Sequence, residues 1–427
     1  MVGRLGAPTP IQTASGRGRG LSCVAARYLL PNVTTLSRRI SAIVDSATMA
    51  IAGRAAAMRA AGHPVIGFGV GEPDFPTPDH IVAAAQRAAA DPRAHHYSPP
   101  AGLPELRRAV ALKTHRDSGW ECDVEDVTIT VGAKGAVFGA CAALLDPGDE
   151  VLLPSPYWVS YPEIVALAGG VIRVVPSRFE DGYRVTVDEL EAARTARTKL
   201  LIFCSPGNPT GAVYTAAEVA AIGGWAARHR IWVLTDEIYE HFVYGGAEFV
   251  SLPVAAPEAA ERCVVVNSVA KTYAMTGWRV GWMVGPPQVA AAVARLQSHS
   301  ISNVANVSQF AAIAALEGPM AAVDAMRTAF DRRRRFMYDL LRTLPGVEVN
   351  EPHGAFYAFP RIDVARALPG RPAQSSHQFA ELLLESAEIA VVPGEAFGAP
   401  GSLRLSYAVD DGELATGLER WRALATA

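Results

Sequence analysis

Seven short apolar runs, most of them rich in β-branched residues, punctuate the middle of the chain: Val127–Val131, Glu150–Leu153, Val171–Val175, Lys199–Phe203, Ile231–Thr235, Cys263–Val266 and Val280–Val284. Each has the length of a strand, and alanine-rich helical stretches separate most of them. Strands buried on both faces read as near-continuous apolar runs, and parallel neighbours need crossovers long enough to hold a helix. The alternation predicts an α/β fold around one mostly parallel seven-stranded sheet. No repeat, low-complexity tract or flexible linker interrupts it.

At 427 residues, half of them apolar, the chain can bury a large core and build a second domain. The pattern changes after residue 310. Ala321 to Leu344 reads as one long helix closed by Pro345-Gly346, with the basic block Arg332–Arg335 expected on a solvated face. Short strands follow at Gly354–Phe359, Val391–Val392 and Leu403–Tyr407, with two helices. The expected division is a large domain over 71–310 and a smaller α+β domain over 311–427. An N-terminal segment, 36–70, is helical over Leu36–Gly62 and packs on the smaller domain.

Residues 1–35 are expected to form a disordered leader. Arg4, Arg17, Arg19, Arg27, Arg38 and Arg39 precede the first acid, Asp45. An organellar transit peptide has this composition too. A floppy leader, or a start codon placed too early, is the plainer reading. The net charge of −3 with both signs dispersed offers nothing to a polyanion, so no nucleic-acid partner is expected. Cys23, Cys122, Cys141, Cys204 and Cys263 form no C-x-x-C pair, which suits reduced thiols in the cytoplasm and no metal site. No run approaches the roughly 18–20 apolar residues of a membrane span.

Four segments carry chemistry. In the first, the strand Val264-Val265-Val266 runs through Asn267-Ser268-Val269-Ala270 to Lys271, with Arg279 eight residues on. Ligands of α/β sheets sit at strand ends. Ser268 and Arg279 suit a phosphate, and a partly neutral Lys271 suits an aldehyde. A surface lysine beside a structural arginine fits this segment equally well.

The second, Ile231 to Tyr239, ends a strand in Asp236 and Glu237 with Tyr239 just beyond. A carboxylate there suits a pyridinium nitrogen whose proton makes the ring an electron sink, and Tyr239 suits the ring's oxygen. A Walker-B-like metal site would read alike, but no Gly-x-x-x-x-Gly-Lys-Ser/Thr loop accompanies it. The third, Ser205 to Gly211, is a Pro/Gly turn whose Asn208 is a second candidate donor to that oxygen. The fourth, Val131-Gly132-Ala133-Lys134-Gly135, leads into a helix expected near Ala136, where free backbone N–H groups bind phosphate.

Together with Gly71-Glu72-Pro73-Asp74-Phe75, Tyr97-Ser98-Pro99-Pro100-Ala101-Gly102, Ser155-Pro156-Tyr157-Trp158, Gly277-Trp278-Arg279 and Arg404-Leu405-Ser406-Tyr407, these segments resemble the class I/II aminotransferases. The closer resemblance is to the bacterial aspartate-aminotransferase-like branch, from about Leu36 to the C-terminus. It implies the pyridoxal-phosphate-dependent transferase fold and pyridoxal 5'-phosphate as cofactor. Lys271 is then the Schiff-base lysine and the base that moves the substrate α-proton. Asp236 pairs with the ring nitrogen, Asn208 and Tyr239 with the ring oxygen, and Trp158 stacks on the ring. Ser268, Arg279 and the backbone of Ala133 and Lys134 hold the phosphate, helped by Tyr97 from a second subunit of a homodimer with shared sites. Arg404 clamps the substrate α-carboxylate, with backbone contact from Gly69.

The resemblance implies amino-group transfer from an L-amino acid, aspartate first, to a 2-oxo acid such as 2-oxoglutarate, by a ping-pong course. Lys134 matches a lysine that meets the distal carboxylate. Some relatives carry a basic residue where Val44 stands, which weakens the case for prephenate. Gly135 and Gly207 replace bulkier or polar residues and loosen the pocket. Broader or aromatic specificity is the second reading, and a β-lyase on the same fold the third. A regulatory protein would need a DNA-binding domain, for which the leader is too short. A non-catalytic binder sits poorly with a complete set of catalytic residue types.

Overall fold

The computed structural model describes residues 36–44, 47–368, 370 and 373–426. The leader expected over 1–35 lies outside them. The chain divides into two units after Ser41, and the described part of the first contains the single-turn helix Arg38–Ser41. Every other element belongs to the second unit, Ala42–Ala427.

The strands run in chain order as β1 (Ile66–Gly67), β2 (Val127–Val131), β3 (Glu150–Ser155), β4 (Val171–Pro176), β5 (Thr198–Cys204), β6 (Trp232–Asp236), β7 (Cys263–Ser268), β8 (Val280–Val284), β9 (Val347–Glu348), β10 (Tyr357–Ala358), β11 (Arg361–Ile362), β12 (Ile389–Ala390), β13 (Val392–Pro393) and β14 (Leu403–Ser406). The seven expected strands are β2 to β8, and they form one sheet in the order β2-β8-β7-β6-β5-β3-β4. Pairing is parallel from β4 through β3, β5 and β6 to β7. Only β8 runs against its neighbours, antiparallel to both β7 and β2. All residues of β7 and β8 are buried, which explains their unbroken apolar sequence.

Helices cover the sheet where small and apolar residues repeat. The helix Gly132–Leu144 buries Ala133, Ala136, Val137, Ala140 and Cys141, and it starts four residues before the expected Ala136. Ala216–His229 is opened by a capping box, Thr215 with Glu218, and closed by Arg230 in the left-handed region at φ 55°.

Beyond the large sheet, β1 pairs with β12, β9 with β11, and β10 and β13 flank β14. The helix Ala47–Ala60 packs Ile51, Ala55 and Met58 against Val65, Leu384 and Ala390. The strand expected over Gly354–Phe359 is confined to Tyr357–Ala358, because Ala355 sits at φ 56° and breaks the extended run.

The long helix spans Ala321–Leu341, three residues short of the expected end. Its basic block meets the expectation of a solvated face at Arg332 and Arg335, which are exposed, and corrects it at the two arginines between them. Arg333 and Arg334 are buried at 5% and 3% exposure. Arg333 pairs with Asp74 at 2.8 Å and Asp411 at 2.9 Å, and Arg334 with Asp331 at 2.8 Å and Glu351 at 2.5 Å. Both lie on the helix face that buries Phe330, Met337 and Leu341, and paired carboxylates make that burial tolerable.

Candidate active site

The strands parallel to one another, β2 among them, end on one edge of the sheet, and that edge carries the site. β2 delivers Gly132, β3 Trp158, β5 Cys204 and the Asn208 turn, β6 Asp236, and β7 Ser268 and Lys271. Because β8 runs the other way, its start lies at the same edge and brings Arg279 there. A cavity of about 250 Å³ opens between these ends and β14. Its walls include Lys271, Asp236, Asn208, Trp158, Lys134 and Arg404.

Lys271 sits on the one-turn helix Val269–Thr272, which Ser268 caps by accepting from Ala270 N at 3.1 Å. The lysine Nζ donates to the carbonyl oxygen of Gly71. Burial lowers its pKa from 10.5 to about 8, helped by Arg404 and Arg279 and opposed by Glu72 and Asp236. An appreciable neutral fraction at ordinary pH makes it a nucleophile and a base.

Asp236 is 4% exposed at the end of β6. Burial raises its pKa to about 6, while the Tyr161 hydroxyl, the Ile238 N–H and Lys271 hold it down. Tyr161 donates to Oδ2 at 2.8 Å and Ile238 N to Oδ1 at 3.3 Å. The ring of Tyr161 also meets Trp158 edge-on, 5.2 Å between centroids at 86°. One tyrosine thus fixes both a carboxylate and an aromatic platform on the cavity wall. Glu237 next door faces away, onto Ser251 Oγ at 2.8 Å and Leu252 N at 3.2 Å, and burial pushes its pKa up to about 8.

Arg404, 2% exposed on β14, donates from Nη2 to Gly69 O at 2.7 Å and from Nη1 to Asn208 Oδ1 at 3.1 Å. Its buried Nε has no hydrogen-bond partner among the described residues. The guanidinium lies 4.6 Å from the ring centroid of Tyr357, whose hydroxyl is 2.9 Å from that of Tyr239.

Gly132 opens its helix at φ 68°, and a Cβ there would stand 2.4 Å from Nη2 of Arg279. The guanidinium of Arg279 therefore lies against Gly132, the first residue of that helix. Arg279 is exposed, with Nη1 on Thr276 O at 2.8 Å. Lys134 points its Nζ over the Trp158 ring at 5.1 Å, and burial, reinforced by Arg279, lowers its pKa.

Eight of the expected residues line the cavity: Ala133, Lys134, Trp158, Asn208, Asp236, Tyr239, Lys271 and Arg404. Ser268, Arg279 and Gly69 do not line it: Ser268 accepts from Ala270 N, beside Lys271, Arg279 lies against Gly132, beside Ala133, and Gly69 accepts from Arg404. Tyr97 stands apart at 89% exposure. Tyr161 and Tyr357 line the cavity as well, and the sequence reading missed them. Tyr161 opens the helix Tyr161–Leu167 while Trp158 lies in the loop before it, so no local periodicity links the two, and the sequence offered no signal for either tyrosine.

A cavity at the strand ends of a mostly parallel sheet, centred on a half-buried lysine that faces a buried carboxylate, defines an α/β enzyme of lysine-centred chemistry. The chain belongs to the aminotransferase class I and II family, which it matches over residues 63–420. With relatives named aspartate aminotransferase at high identity over most of its length, it is a transaminase. It is 56% identical over 396 residues to the aspartate aminotransferase of Streptomyces avermitilis, covering 92% of this chain and 97% of the relative. Among solved structures it is similar to the aspartate aminotransferase of Rhizobium meliloti, with a TM-score of 0.88 at 39% identity over 92% of this chain and 99% of the other. The Thermus thermophilus aspartate aminotransferase with maleate gives a TM-score of 0.87 at 41% identity, over 92% of this chain and 100% of the other.

Proposed function

We propose that this transaminase moves the amino group of L-aspartate to 2-oxoglutarate, yielding oxaloacetate and L-glutamate, with pyridoxal 5'-phosphate held at Lys271. The observation that carries the reading is a pair of cations, Arg404 and Lys134, in one cavity wall with Lys271. An amino acid with a carboxylate at each end meets both. The relative from Streptomyces avermitilis is named for aspartate, and the Thermus thermophilus structure holds maleate, itself a dicarboxylate.

The residues present fit the cofactor. The missing side chain at Gly132 leaves the helix N-terminus open to Arg279, a cradle for a phosphate that any Cβ would fill. Ser268 and the N–H groups of Ala133 and Lys134 complete that donor set. Asp236 would hold a proton on the ring nitrogen, and Trp158 would cover the ring face. Asn208 spends its Oδ1 on Arg404, so its amide N–H groups remain to donate, with Tyr239, to the ring oxygen. When bound, pyridoxal phosphate supplies an aldehyde that accepts the amino group and a protonated ring that draws off electrons from the substrate α-carbon.

The protein's own part is to bind, orient and move a proton. Arg404 receives the α-carboxylate, with its unpartnered Nε available for a second bond. Lys134 receives the distal carboxylate. Lys271, neutral in part, would take the α-proton and return it at the cofactor's imine carbon, two bonds away across the nitrogen. The exposure of Tyr97 supports a homodimer in which that residue completes the partner's phosphate site. The same reading assigns 71–310 to cofactor binding and 311–427 to the smaller domain, in a cytoplasmic protein whose Cys122, Cys141, Cys204 and Cys263 are free thiols.

The test is an absorbance scan of the holoenzyme during titration with L-aspartate and then 2-oxoglutarate. Bleaching of the visible band by aspartate and its return with 2-oxoglutarate are expected. A band indifferent to aspartate would redirect the search to other donors. Met49, an apolar residue on the cavity wall at 71% exposure, favours a broader donor range as the second reading. Bleaching by L-phenylalanine in the same titration would support it.

A further inference from the structure

Tyr357 touches several parts of the site at once. Its strand, β10, pairs with β14, which carries Arg404, in the register Ala358 to Leu405 and Tyr357 to Ser406. The side chain is 1% exposed. Its ring lies beneath the Arg404 guanidinium at 4.6 Å, and its hydroxyl meets that of Tyr239 at 2.9 Å. A Cβ on Gly71, whose carbonyl accepts from Lys271 Nζ, would stand 2.8 Å from the same hydroxyl. No side chain larger than hydrogen fits between them.

Two neutral phenols in contact hold two protons, and only one lies between them. If Tyr239 donates to Tyr357, it has no proton left for an acceptor in the cavity. If Tyr357 donates to Tyr239, the Tyr239 proton is free to point onward. The bond is set by whichever hydroxyl is the better donor. A cation over the face of a phenol draws charge from the ring and strengthens its O–H as a donor. Arg404 lies over Tyr357, and no cation–π contact of this kind is found on Tyr239 among the described residues. Burial raises the pKa of both hydroxyls, so both protons stay in place.

We propose that Tyr357 is a positioning residue that couples the Arg404 clamp to Tyr239, donating to the Tyr239 hydroxyl so that its proton is aimed at the cofactor's ring oxygen. The inference rests on the cofactor and clamp roles proposed for this site. It gives the chain a direct line between substrate carboxylate and cofactor: a change of charge at Arg404 alters the strength of the bond that Tyr239 makes.

The test uses holoenzyme and two isosteric deletions, Tyr357→Phe and Tyr239→Phe, with near-ultraviolet circular dichroism to check packing. The readout is the pH midpoint of the visible absorbance band, which reports the proton on the Lys271 nitrogen. A hydrogen bond donated to the ring oxygen draws charge away from that proton, so weakening the bond holds the proton to higher pH. Tyr357→Phe is expected to raise the midpoint by about 0.5–1 in pH and Tyr239→Phe by more. In the Tyr239→Phe background the second substitution is expected to add nothing.

KM for L-aspartate should stay within about twofold in Tyr357→Phe, whose ring remains under Arg404, and rise several-fold in Tyr357→Leu, roughly the effect of removing a buried cation–π interaction. An unmoved midpoint in Tyr357→Phe, or equal shifts in both backgrounds, would overturn the inference while leaving the transaminase reading intact. A wild-type protein with no visible band after addition of pyridoxal phosphate would remove both.

Discussion

The hydroxyl of Tyr161 donates to Oδ2 of Asp236 at 2.8 Å, from a ring that also meets Trp158 edge-on. It is a principal hydrogen bond opposing the burial that lifts Asp236 to about 6. Tyr161→Phe should therefore displace ionisation of Asp236 to higher pH and weaken cofactor binding at neutrality by about tenfold, the lower end of what a hydrogen bond to a charged group contributes. A raised carboxyl pKa leaves the group ionised only above it, so the deficit should be largest near pH 6–7 and shrink toward pH 9. Equilibrium dialysis with pyridoxal phosphate across that range checks it. A deficit independent of pH would mean that Tyr161 acts through packing alone.

Lys134→Met keeps length and removes charge. Because the substitution deletes one charge-assisted hydrogen bond at a partly exposed site, kcat/KM for L-aspartate should fall about tenfold, or ~1.4 kcal/mol. Turnover of L-phenylalanine, if present, should not fall with it. Steady-state rates with both donors decide whether Lys134 reads the distal carboxylate.

Lys271 has its pKa lowered to about 8 by burial. Its neutral form gains population as pH rises through that value, well below the ordinary 10.5. Capture of pyridoxal phosphate by apoenzyme, followed by stopped-flow absorbance, should accelerate through about pH 8 and then level. Lys271→Ala should still bind cofactor, show no such band, and lose nearly all turnover. Wild-type rates in that variant would remove the central assignment.

Glu237 is 3% exposed, and burial raises its pKa from 4.5 to about 8. Folded protein then binds more protons here than unfolded protein between those values, so this group makes stability fall as pH rises across that window. Glu237→Gln preserves acceptors for Ser251 and Leu252 and removes the titration. Its melting temperature relative to wild type should improve from pH 5 to pH 9. A constant difference would show that Glu237 does not titrate in the folded protein.

The large sheet was legible because its strands leave a local imprint: β2 to β8 all fall where the short apolar runs stand. Lys271, Asp236 and Asn208 were legible for a related reason, since Asp236 ends its strand and the other two follow theirs within a few residues. Interactions that join distant segments left no such imprint. Tyr161 and Asp236 are 75 residues apart, and Tyr239 and Tyr357 are 118 apart. Nothing in either local pattern names the other partner. Arg333 and Arg334 misled for the same reason. Their carboxylates, Asp74, Asp411 and Glu351, are supplied largely from elsewhere in the chain, so a basic block on one helix looked solvated.

The antiparallel strand β8 has a consequence for how the protein matures. Its register on β2 pairs Val131 with Val280, and the residues adjoining that pair are Gly132 and Arg279. The proposed phosphate cradle is thus split across two chain segments nearly 150 residues apart and assembled by their pairing. A slip of one residue would invert the side chains of β8 and carry Arg279 away from Gly132. On the proposed cofactor assignment, a newly made chain would retain pyridoxal phosphate only after this seam has closed in register. Binding would then add stability to correctly registered molecules and none to misregistered ones.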